Sequence, residues 1–369
     1  MDCTQEKIMA AKVFSGSYAE GDVTFLLQPL DMEMTDVKTK ETLIQSGKKH
    51  YSEMLSLEQA PSQLQLDVFN QATELGAERM AKETLMLATE LSLRIKDKTI
   101  VLVSLVRAGV PMAVALLRAL RLLKVDVVHY GISIIRDRGI DEVALGEIEA
   151  RHGTEGICFV DGWTGKGAIT GELNKVLNSR AGYPQDTRLI VLADPAGCSW
   201  LAASGDDWLI PFSVMGATVS GLVSRSVWKE GELHGCVLYN NLRPYDCSSS
   251  FIQRIEIQMK KILAGDFSIN KEEVLNAHKK EKLKAQCLAV IDDLAKRYHV
   301  GSKNRIKPGI AEATRAVMRR VPEYVLVRDK TDKDVQLLID LANKIGAKVT
   351  EVGDLIGNYR AITIIKKVV

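Results

Sequence analysis

Aromatic side chains are scarce in this chain, at 5% of its 369 residues. A surface that stacks sugars or nucleic-acid bases needs such rings, so the composition argues against that kind of surface. Cysteine is also sparse, and no two of the six cysteines have the C-x-x-C spacing of a zinc or redox site. A disulfide framework is not expected in so long a chain without a secretion signal.

Long apolar runs are missing as well. The most apolar region, residues 99–123, is interrupted by Arg107, Arg118 and Arg121. A membrane-spanning helix needs about 20 apolar residues, so we predict no membrane segment. The chain starts with Glu6 and Lys7 near its beginning rather than with a basic stretch and an apolar core, and we therefore expect no signal peptide and a cytoplasmic location.

Charge is unevenly distributed although the net charge is only +2. Residues 1–250 carry 25 Lys and Arg against 32 Asp and Glu, which is −7. Residues 251–369 carry 24 against 15, which is +9. This asymmetry indicates an acidic body with a basic arm that contacts nucleic acid, or else a solvated helical face.

Apolar strand-like runs alternate with helical patterns through most of the chain. Residues 99–105, 125–135, 157–160 and 188–197 have the runs, and residues 61–96 have a long helical period. This alternation predicts an α/β fold with a mostly parallel sheet covered on both faces. We expect this body over residues 1–250, a helical linker over 251–300, and a small α/β module over 301–369.

The stretch GICFVDGWTGKGAITGEL, residues 156–173, is the most informative motif. A buried strand ends at Asp161, a Gly-Thr loop follows, and a helix begins at once. Backbone N–H groups at a helix start attract anions, and glycines allow a phosphate to come close. The residues expected to hold such a phosphate are Thr164, Gly165, Lys166, Gly167 and Ala168. Because a carboxylate beside a phosphate needs a bridge, we expect ribose hydroxyls or Mg²⁺ between them.

Two common phosphate motifs do not fit this loop. A P-loop has four residues between its glycines followed by Lys and Ser or Thr, but Gly167 stands in the Ser/Thr place here. A Rossmann fingerprint has its acidic residue about 20 residues after the loop, whereas Asp161 precedes it.

The strand, acid, Thr-Gly loop and helix resemble the signature of the type I phosphoribosyltransferases. The upstream stretch VSLVRAGVP, residues 103–111, is similar to that family's pyrophosphate loop, and SIIRDRGID, residues 133–141, takes the place of its mobile hood. The resemblance implies that Arg107, Ala108 and Gly109 hold pyrophosphate with Mg²⁺, that Asp161 orients the ribose, and that Arg136 and Arg138 close over the substrate. The sequence departs from the signature in having one acid where the family has two.

Over nearly its whole length the chain resembles the StiP-type proteins of bacterial tellurium-resistance-associated stress clusters. The resemblance is carried by SYAEGDVTFLL near the start, the body, and KPGIAEATRAVMRRVPEYVLVRD near the end. It implies a divergent phosphoribosyltransferase-like domain and a C-terminal module similar to the Pelota RNA-binding fold. The function expected on this basis is transfer or phosphorolysis at the anomeric carbon of a ribose 5-phosphate or nucleotide, with RNA bound by the module.

Two alternatives stay open. The family also carries the label cysteine protease, and Cys198 with His234 and Asn241 would be its Cys-His-Asn set, although their spacing is unlike that of papain. The other alternative is a non-catalytic nucleotide- or RNA-binding protein. The residues expected to contact an RNA backbone are basic ones of the last third: Lys303, Arg305, Lys307, Arg315, Arg319 and Arg320.

Overall fold

A seven-stranded sheet forms the centre of the larger part of the protein. The computed structural model describes residues 14–265 and 275–367, and Cys3 lies outside them. Six strands follow the order β1-β4-β3-β6-β7-β8 with every neighbouring pair parallel, and β5 pairs with β4 antiparallel. The strands are β1 (Thr24–Phe25), β3 (Ile100–Val106), β4 (Val127–Ile135), β5 (Gly139–Ile140), β6 (Ile157–Val160), β7 (Leu189–Ala193) and β8 (Leu201–Ser204). A separate parallel pair joins β2 (Gln28–Pro29) and β9 (Gly235–Cys236).

Helices cover both faces of this sheet, as the alternating pattern predicts. They are α1 (Val37–Gln45), α2 (Gln63–Arg94), α3 (Gly109–Leu122), α4 (Glu142–His152), α5 (Ala168–Leu177) and α6 (Ser248–Ala264). Every residue of β3 is buried, and Ile100 and Leu102 pack into the core formed with α2, α3 and α6. Val101 and Val103 point the other way, toward α4 and α5. A strand buried on both faces needs the unbroken apolar run that this sequence has.

The C-terminal module has its own four-stranded sheet, with the order β10-β13-β11-β12. Its elements are β10 (Ile306–Pro308), α8 (Ile310–Arg319), β11 (Pro322–Val327), α9 (Gln336–Lys344), β12 (Val349–Glu351) and β13 (Ala361–Ile365), preceded by α7 (Ala277–Arg297). The α/β fold class with a mostly parallel sheet and a small C-terminal α/β module is confirmed.

The helices expected to form a linker pack against different partners. Phe251 and Ile255 of α6 are buried in the core of the body. Cys287 and Leu294 of α7 belong instead to a cluster with Ile306 of the module. The division between body and module therefore falls between α6 and α7. None of the helices in residues 14–265 and 275–367 has the length and apolarity to cross a membrane.

The module is attached to the body through two carboxylates of the body, the buried Asp207 and the partly exposed Asp206. The Asp207 carboxylate accepts the backbone N–H of Ile310 at 2.9 Å and that of Arg360 at 2.8 Å. The Arg360 guanidinium pairs with Asp206 at 2.9 Å and with Asp334 at 3.0 Å. These contacts hold the module across the end of the sheet where the β6–α5 loop lies.

Two loops meet at this end of the sheet at a glycine. Gly109 begins α3 just after β3, and a methyl group at its Cα would lie 2.1 Å from the carbonyl oxygen of Val160 at the end of β6. Because real carbon atoms do not come so close to a backbone oxygen, only glycine allows this approach.

We therefore expect Gly109→Ala to lower the free energy of unfolding by about 3 kcal/mol, the magnitude of a severe packing clash. Gly171→Ala in α5 is the matched control, because no atom lies within 4 Å of its methyl position. That change should raise stability by up to about 1 kcal/mol through helix propensity. Urea unfolding of both variants tests the contrast, and equal effects would contradict it.

Candidate functional site

The loop between β6 and α5 has a fixed backbone. Thr164 donates its N–H to the carbonyl of Ala193 at 3.0 Å, and its hydroxyl donates to the carboxylate of Asp194. Gly167 has a φ of 78°, in the left-handed region, and α5 begins at the next residue. The predicted strand–loop–helix unit is present, and its glycine is required by the turn into the helix.

The middle of this loop presents unused backbone donors. Within the described part of the chain, the N–H groups of Gly165, Lys166 and Gly167 donate to no acceptor. They lie at the N-terminus of α5, where the helix dipole adds positive potential. Such a set of donors can receive an anion or an oxygen that becomes negatively charged during a reaction.

A cavity of about 90 Å³ lies between this loop and the C-terminal module. Ala108, Asp161 and residues 164–168 line it from the body, together with Arg136. The module contributes Lys307, Glu312 and Arg315. Most of the predicted phosphate-loop residues thus surround one space. Gly109 does not line it, because its role is the close approach to Val160.

Two groups in this cavity have pKa values near neutrality. Burial raises the pKa of Asp161 to about 7, although its carboxylate accepts the N–H of Gly162 at 2.8 Å. Burial, together with the charges of Lys307 and Arg136, lowers the pKa of Lys166 to about 7. The Lys166 ammonium donates to the carbonyls of Lys303 at 2.6 Å and Ile306 at 2.9 Å, both in the module. The cavity can therefore exchange protons at physiological pH.

Arg107 is fixed by a residue that sequence reasoning missed. Its guanidinium donates to the Glu58 carboxylate at 2.5 Å, and 7% of Arg107 is exposed. Glu58 also accepts the N–H of Ala217 at 2.6 Å. Burial acts to raise the pKa of Glu58, but Arg107 and Arg319 hold it below its ordinary value. Glu58 lies in a segment with no readable periodicity, so no sequence signal identified it.

The two arginines of the predicted hood, Arg136 and Arg138, lie in different places. Arg136 lines the cavity, and its backbone N–H donates to the hydroxyl of Tyr51 at 2.8 Å. Arg138 instead pairs with Glu53, and its guanidinium lies 4.1 Å from the centre of the Trp228 ring. Arg136 and Arg138 are therefore not brought to the same cavity, and the closure of both over one substrate stays a prediction.

The basic residues predicted to contact RNA do not form one surface. Lys303 is exposed but pairs with Asp292. Arg305 pairs with Glu323 and donates to the carbonyl of Ile365 at 2.7 Å, inside the module. Lys307 and Arg315 line the cavity. Arg319 and Arg320 have exposed surface at the end of α8. The charge pattern of the sequence does not predict this scattered arrangement, because it does not indicate which face of each helix the body covers.

The Cys-His-Asn set proposed as an alternative is not assembled. The His234 ring bonds to the Ser133 hydroxyl at 2.6 Å at the end of β4, and both residues are buried. Cys198 follows β7, and β3 and β6 lie between β4 and β7. At about 4.8 Å between strands, this places the two residues roughly 14 Å apart. Among the described residues, no cysteine sulfur hydrogen-bonds to a histidine.

The donor set does not fit a resident metal ion. No group of three or more His, Cys, Asp or Glu side chains converges on a common point in residues 14–265 and 275–367. Mg²⁺ bound together with a substrate stays a prediction.

Comparisons with known proteins identify two regions. Residues 16–256 match the family model described as tellurite-like stress resistance cysteine protease StiP, and residues 285–367 match the PELOTA RNA binding domain. A protein of Acinetobacter baylyi named cysteine protease StiP is 48% identical over 370 residues, covering 96% of this chain and 94% of the relative.

Solved structures give only distant likenesses. Hypoxanthine phosphoribosyltransferase from Trypanosoma cruzi is 14% identical, with a TM-score of 0.26 over 44% of this chain and 86% of that one. A glycine decarboxylase (P-protein) of the glycine cleavage system is 13% identical with a TM-score of 0.24, over 98% of this chain and 83% of that one.

These findings correct the predicted reaction. Transfer or phosphorolysis at a ribose 5-phosphate is wrong as the main prediction, because the matching family and the 48% identical relative are both named as cysteine proteases. The recognition of the StiP-type organisation and of the Pelota-like module is confirmed.

The raised pKa of Asp161 predicts a pH-dependent effect on stability. An unfolded aspartate titrates near pH 3.9, so the folded protein binds the extra proton more tightly, and stability falls as pH rises from about 4 to about 7. Asp161→Asn removes the free-energy cost of burying the ionised carboxylate. We expect it to raise the free energy of unfolding by about 2 kcal/mol at pH 8 and to have little effect at pH 4.

Urea unfolding at the two pH values measures this difference. Asp186→Asn, at an exposed loop position, is the matched control for the loss of one carboxylate. If Asp161→Asn raises the free energy of unfolding equally at pH 4 and pH 8, burial of the Asp161 charge is not the cause of the increase.

Proposed function

We propose that this chain, which belongs to the StiP family of tellurite-like stress resistance cysteine proteases, hydrolyses peptide bonds. Its nucleophile would be the thiol of Cys198. The observation that carries the proposal is the 48% identity to a named cysteine protease over 96% of the chain. A role in a stress response belongs to the same proposal.

The position of Cys198 favours it over the other described cysteines. Cys158 and Cys236 are buried within strands, and Cys287 is buried in α7. Cys247 is half-buried, and its thiol donates to the carbonyl of Thr218, away from the cavity. Cys198 is half-buried beside the β6–α5 loop, where a methyl group at Gly167 would lie 2.7 Å from its sulfur. Gly167, one of the residues of that loop with a free N–H group, is therefore close to the Cys198 sulfur.

The thiol needs a base, because only a thiolate attacks a carbonyl efficiently. Burial and the Asp194 carboxylate raise the pKa of Cys198 to about 12. Asp194 also fixes the backbone by accepting the N–H of Cys198 at 2.9 Å. The candidate proton acceptors are Asp161 and Lys166, which line the neighbouring cavity and have pKa values of about 7.

The proposed reaction balances with water as the second substrate. The Cys198 proton moves to the base, and the sulfur forms a bond to the peptide carbonyl carbon. The resulting oxyanion accepts hydrogen bonds from the loop N–H groups. The C–N bond then breaks as the leaving amine takes up the proton from the base. Water then hydrolyses the thioester and returns the thiol. The donors of residues 165–167 stabilise the oxyanion, whereas the proton transfer that a histidine performs in a Cys-His pair falls to Asp161 or Lys166.

Helix α7 controls access to the sulfur in this arrangement. A methyl group at Gly197 would lie 2.1 Å from the carbonyl oxygen of Lys280, so the helix lies directly on the Cys198 turn. Cys198 also packs against the cluster that α7 forms with the module. Peptide binding therefore requires α7 to move, and we expect slow turnover in the arrangement described.

The proposal predicts that Cys198→Ala abolishes peptidase activity while Cys247→Ala retains it. The second change is matched, because Cys247 is the other half-buried thiol among the described residues. Hydrolysis of a fluorescent casein substrate, with circular dichroism to check folding, measures both. Activity retained in Cys198→Ala, in a folded protein, would remove Cys198 from the mechanism.

RNA binding by the module is a second candidate, favoured by the match of residues 285–367 to the PELOTA RNA binding domain. Lys303 can reach a phosphate by exchanging its ion pair with Asp292, because its side chain keeps 58% of its surface exposed. Arg305 is held inside the module, with 19% of its side chain exposed.

We expect Lys303→Ala to flatten the log–log salt dependence of RNA binding by about 0.7, the value for one phosphate contact on a single strand. Arg305→Ala should leave that slope unchanged. Filter binding of the full chain at several salt concentrations measures both slopes. Lack of salt-dependent RNA retention by the wild-type chain would count against RNA as a ligand.

A further inference from the structure

The cavity between the β6–α5 loop and the C-terminal module has an excess of positive charge. Six charged side chains line it, four cationic and two acidic: Arg136, Lys166, Lys307, Arg315, Asp161 and Glu312. In the described part of the chain none of the six forms an ion pair, and the hydrogen bonds of Asp161, Lys166 and Arg315 go to backbone groups. The excess remains when Asp161 and Lys166 are both counted as neutral, because three cations then face Glu312 alone.

Three polar atoms at this cavity are buried without a partner. They are the Nε atoms of Arg136 and Arg315 and the hydroxyl oxygen of Thr170, none of which hydrogen-bonds to another described residue. All three residues line the cavity. Buried polar groups in proteins are nearly always paired, so these atoms indicate a place for the acceptor oxygens of a ligand.

Arg315 is held in position by groups that leave its charge available. Its guanidinium lies 5.0 Å from the centre of the Trp163 ring, which is a cation–π contact between the module and the body. It also donates to the carbonyl of Met215 at 3.3 Å. A guanidinium oriented in this way is prepared for a carboxylate, with which it forms two parallel hydrogen bonds.

The cavity lies next to the proposed nucleophile. Gly167 lines it, and a methyl group at the Gly167 Cα would lie 2.7 Å from the Cys198 sulfur. A peptide whose carbonyl meets that sulfur can therefore place the side chain of the same residue in the cavity. The volume of about 90 Å³ equals that of about three water molecules in the liquid, which suits a short side chain.

We propose that the enzyme cleaves peptides after aspartate or glutamate, with Arg136 and Arg315 binding the carboxylate of that residue. The inference rests on the peptidase function proposed above and names the class of its substrate. Thr170 donates its hydroxyl to a carboxylate oxygen, and Lys307 adds positive potential. A lysine side chain would meet like charge here, and an apolar side chain would leave the buried donors unpaired.

The acidic residues of the cavity favour a carboxylate over a phosphate group. A phosphorylated side chain carries a charge of about −1.5 to −2 at pH 7, and Glu312 would repel it more strongly than it repels a carboxylate. Burial raises the pKa of Asp161 to about 7, so a protonated Asp161 can donate its O–H to a substrate carboxylate.

Cleavage of four fluorogenic tripeptide amides that differ only in the last residue tests the proposal. We expect kcat/KM with aspartate or glutamate to exceed that with asparagine at least about 10-fold, the effect of one hydrogen bond between charged groups, and lysine to be the poorest substrate. Arg136→Gln and Arg315→Gln should each bring the ratio of acidic to asparagine substrate close to one. Equal cleavage of the aspartate and asparagine substrates by the wild type would overturn the inference.

Arg254→Gln is the matched control for these two variants. It removes an exposed arginine of α6 that pairs with Glu74 at 2.9 Å, and it should leave the preference unchanged. An equal loss of preference in this control would show that Arg136 and Arg315 are not the source of the selectivity. The comparison of substrates on the wild type needs no variant, so it decides the outcome if Arg315→Gln does not fold by circular dichroism.

Binding to the Cys198→Ala variant separates this inference from the peptidase proposal, because binding needs no turnover. Fluorescence anisotropy with labelled peptides should give a Kd at least about 10-fold lower for aspartate than for asparagine or phosphoserine. This preference without cleavage of any substrate would refute the peptidase proposal and keep the recognition of acidic peptides. Cleavage without the preference would refute the recognition and keep the peptidase, and tighter binding of phosphoserine would overturn the choice of ligand.

Discussion

The candidate site depends on the contact between Gly109 and the carbonyl of Val160. β3 and β6 are neighbours in the sheet, so the loops that follow them leave the same edge side by side. Without a side chain at Gly109, the start of α3 can lie against the end of β6. Ala108 and Asp161 are thereby fixed on two sides of the cavity. A larger residue would push the loops apart and separate the groups that each one carries.

The C-terminal module then changes the environment of the side chains and backbone groups that these loops carry. Tyr359 donates its hydroxyl to the carbonyl of Gly165 at 2.7 Å, and the module's carbonyls take up the ammonium of Lys166. The same covering removes water from Asp161 and Cys198, which is the main reason why the pKa values of all three groups depart from their ordinary ranges. Docking of the module is therefore part of the site and not only of the architecture.

The sequence was sufficient for features that depend on neighbours along the chain. The apolar run of β3, the Thr-Gly loop after Asp161 and the strand–helix alternation are local patterns, and the fold class and the loop were predicted from them. Glu58, the partner of Arg107, was not found, because 49 residues separate the pair and the segment around Glu58 has no period. Arg315 was expected on an RNA surface, since a helical charge pattern does not indicate which face a second domain covers.

The reaction was the part least accessible to sequence reasoning, because loops of similar shape serve different chemistry. N–H groups at a helix start stabilise any oxygen that carries negative charge, whether it belongs to a phosphate or to a tetrahedral intermediate of peptide hydrolysis. What distinguishes the two is the group beside them, here a thiol next to Gly167. That thiol comes from the loop after β7, which no motif in the sequence connects to the β6–α5 loop.

The charges at the two ends of the interface act in opposite directions. At one end, Arg360 of the module pairs with Asp206 of the body at 2.9 Å, which attracts the module to the body, while Asp332 and Asp334 hold the same guanidinium from within the module. At the other end, α8 brings Arg315 and Arg319 toward Arg107, and like charges repel. Docking is therefore favoured by charge at one end of the interface and opposed by it at the other.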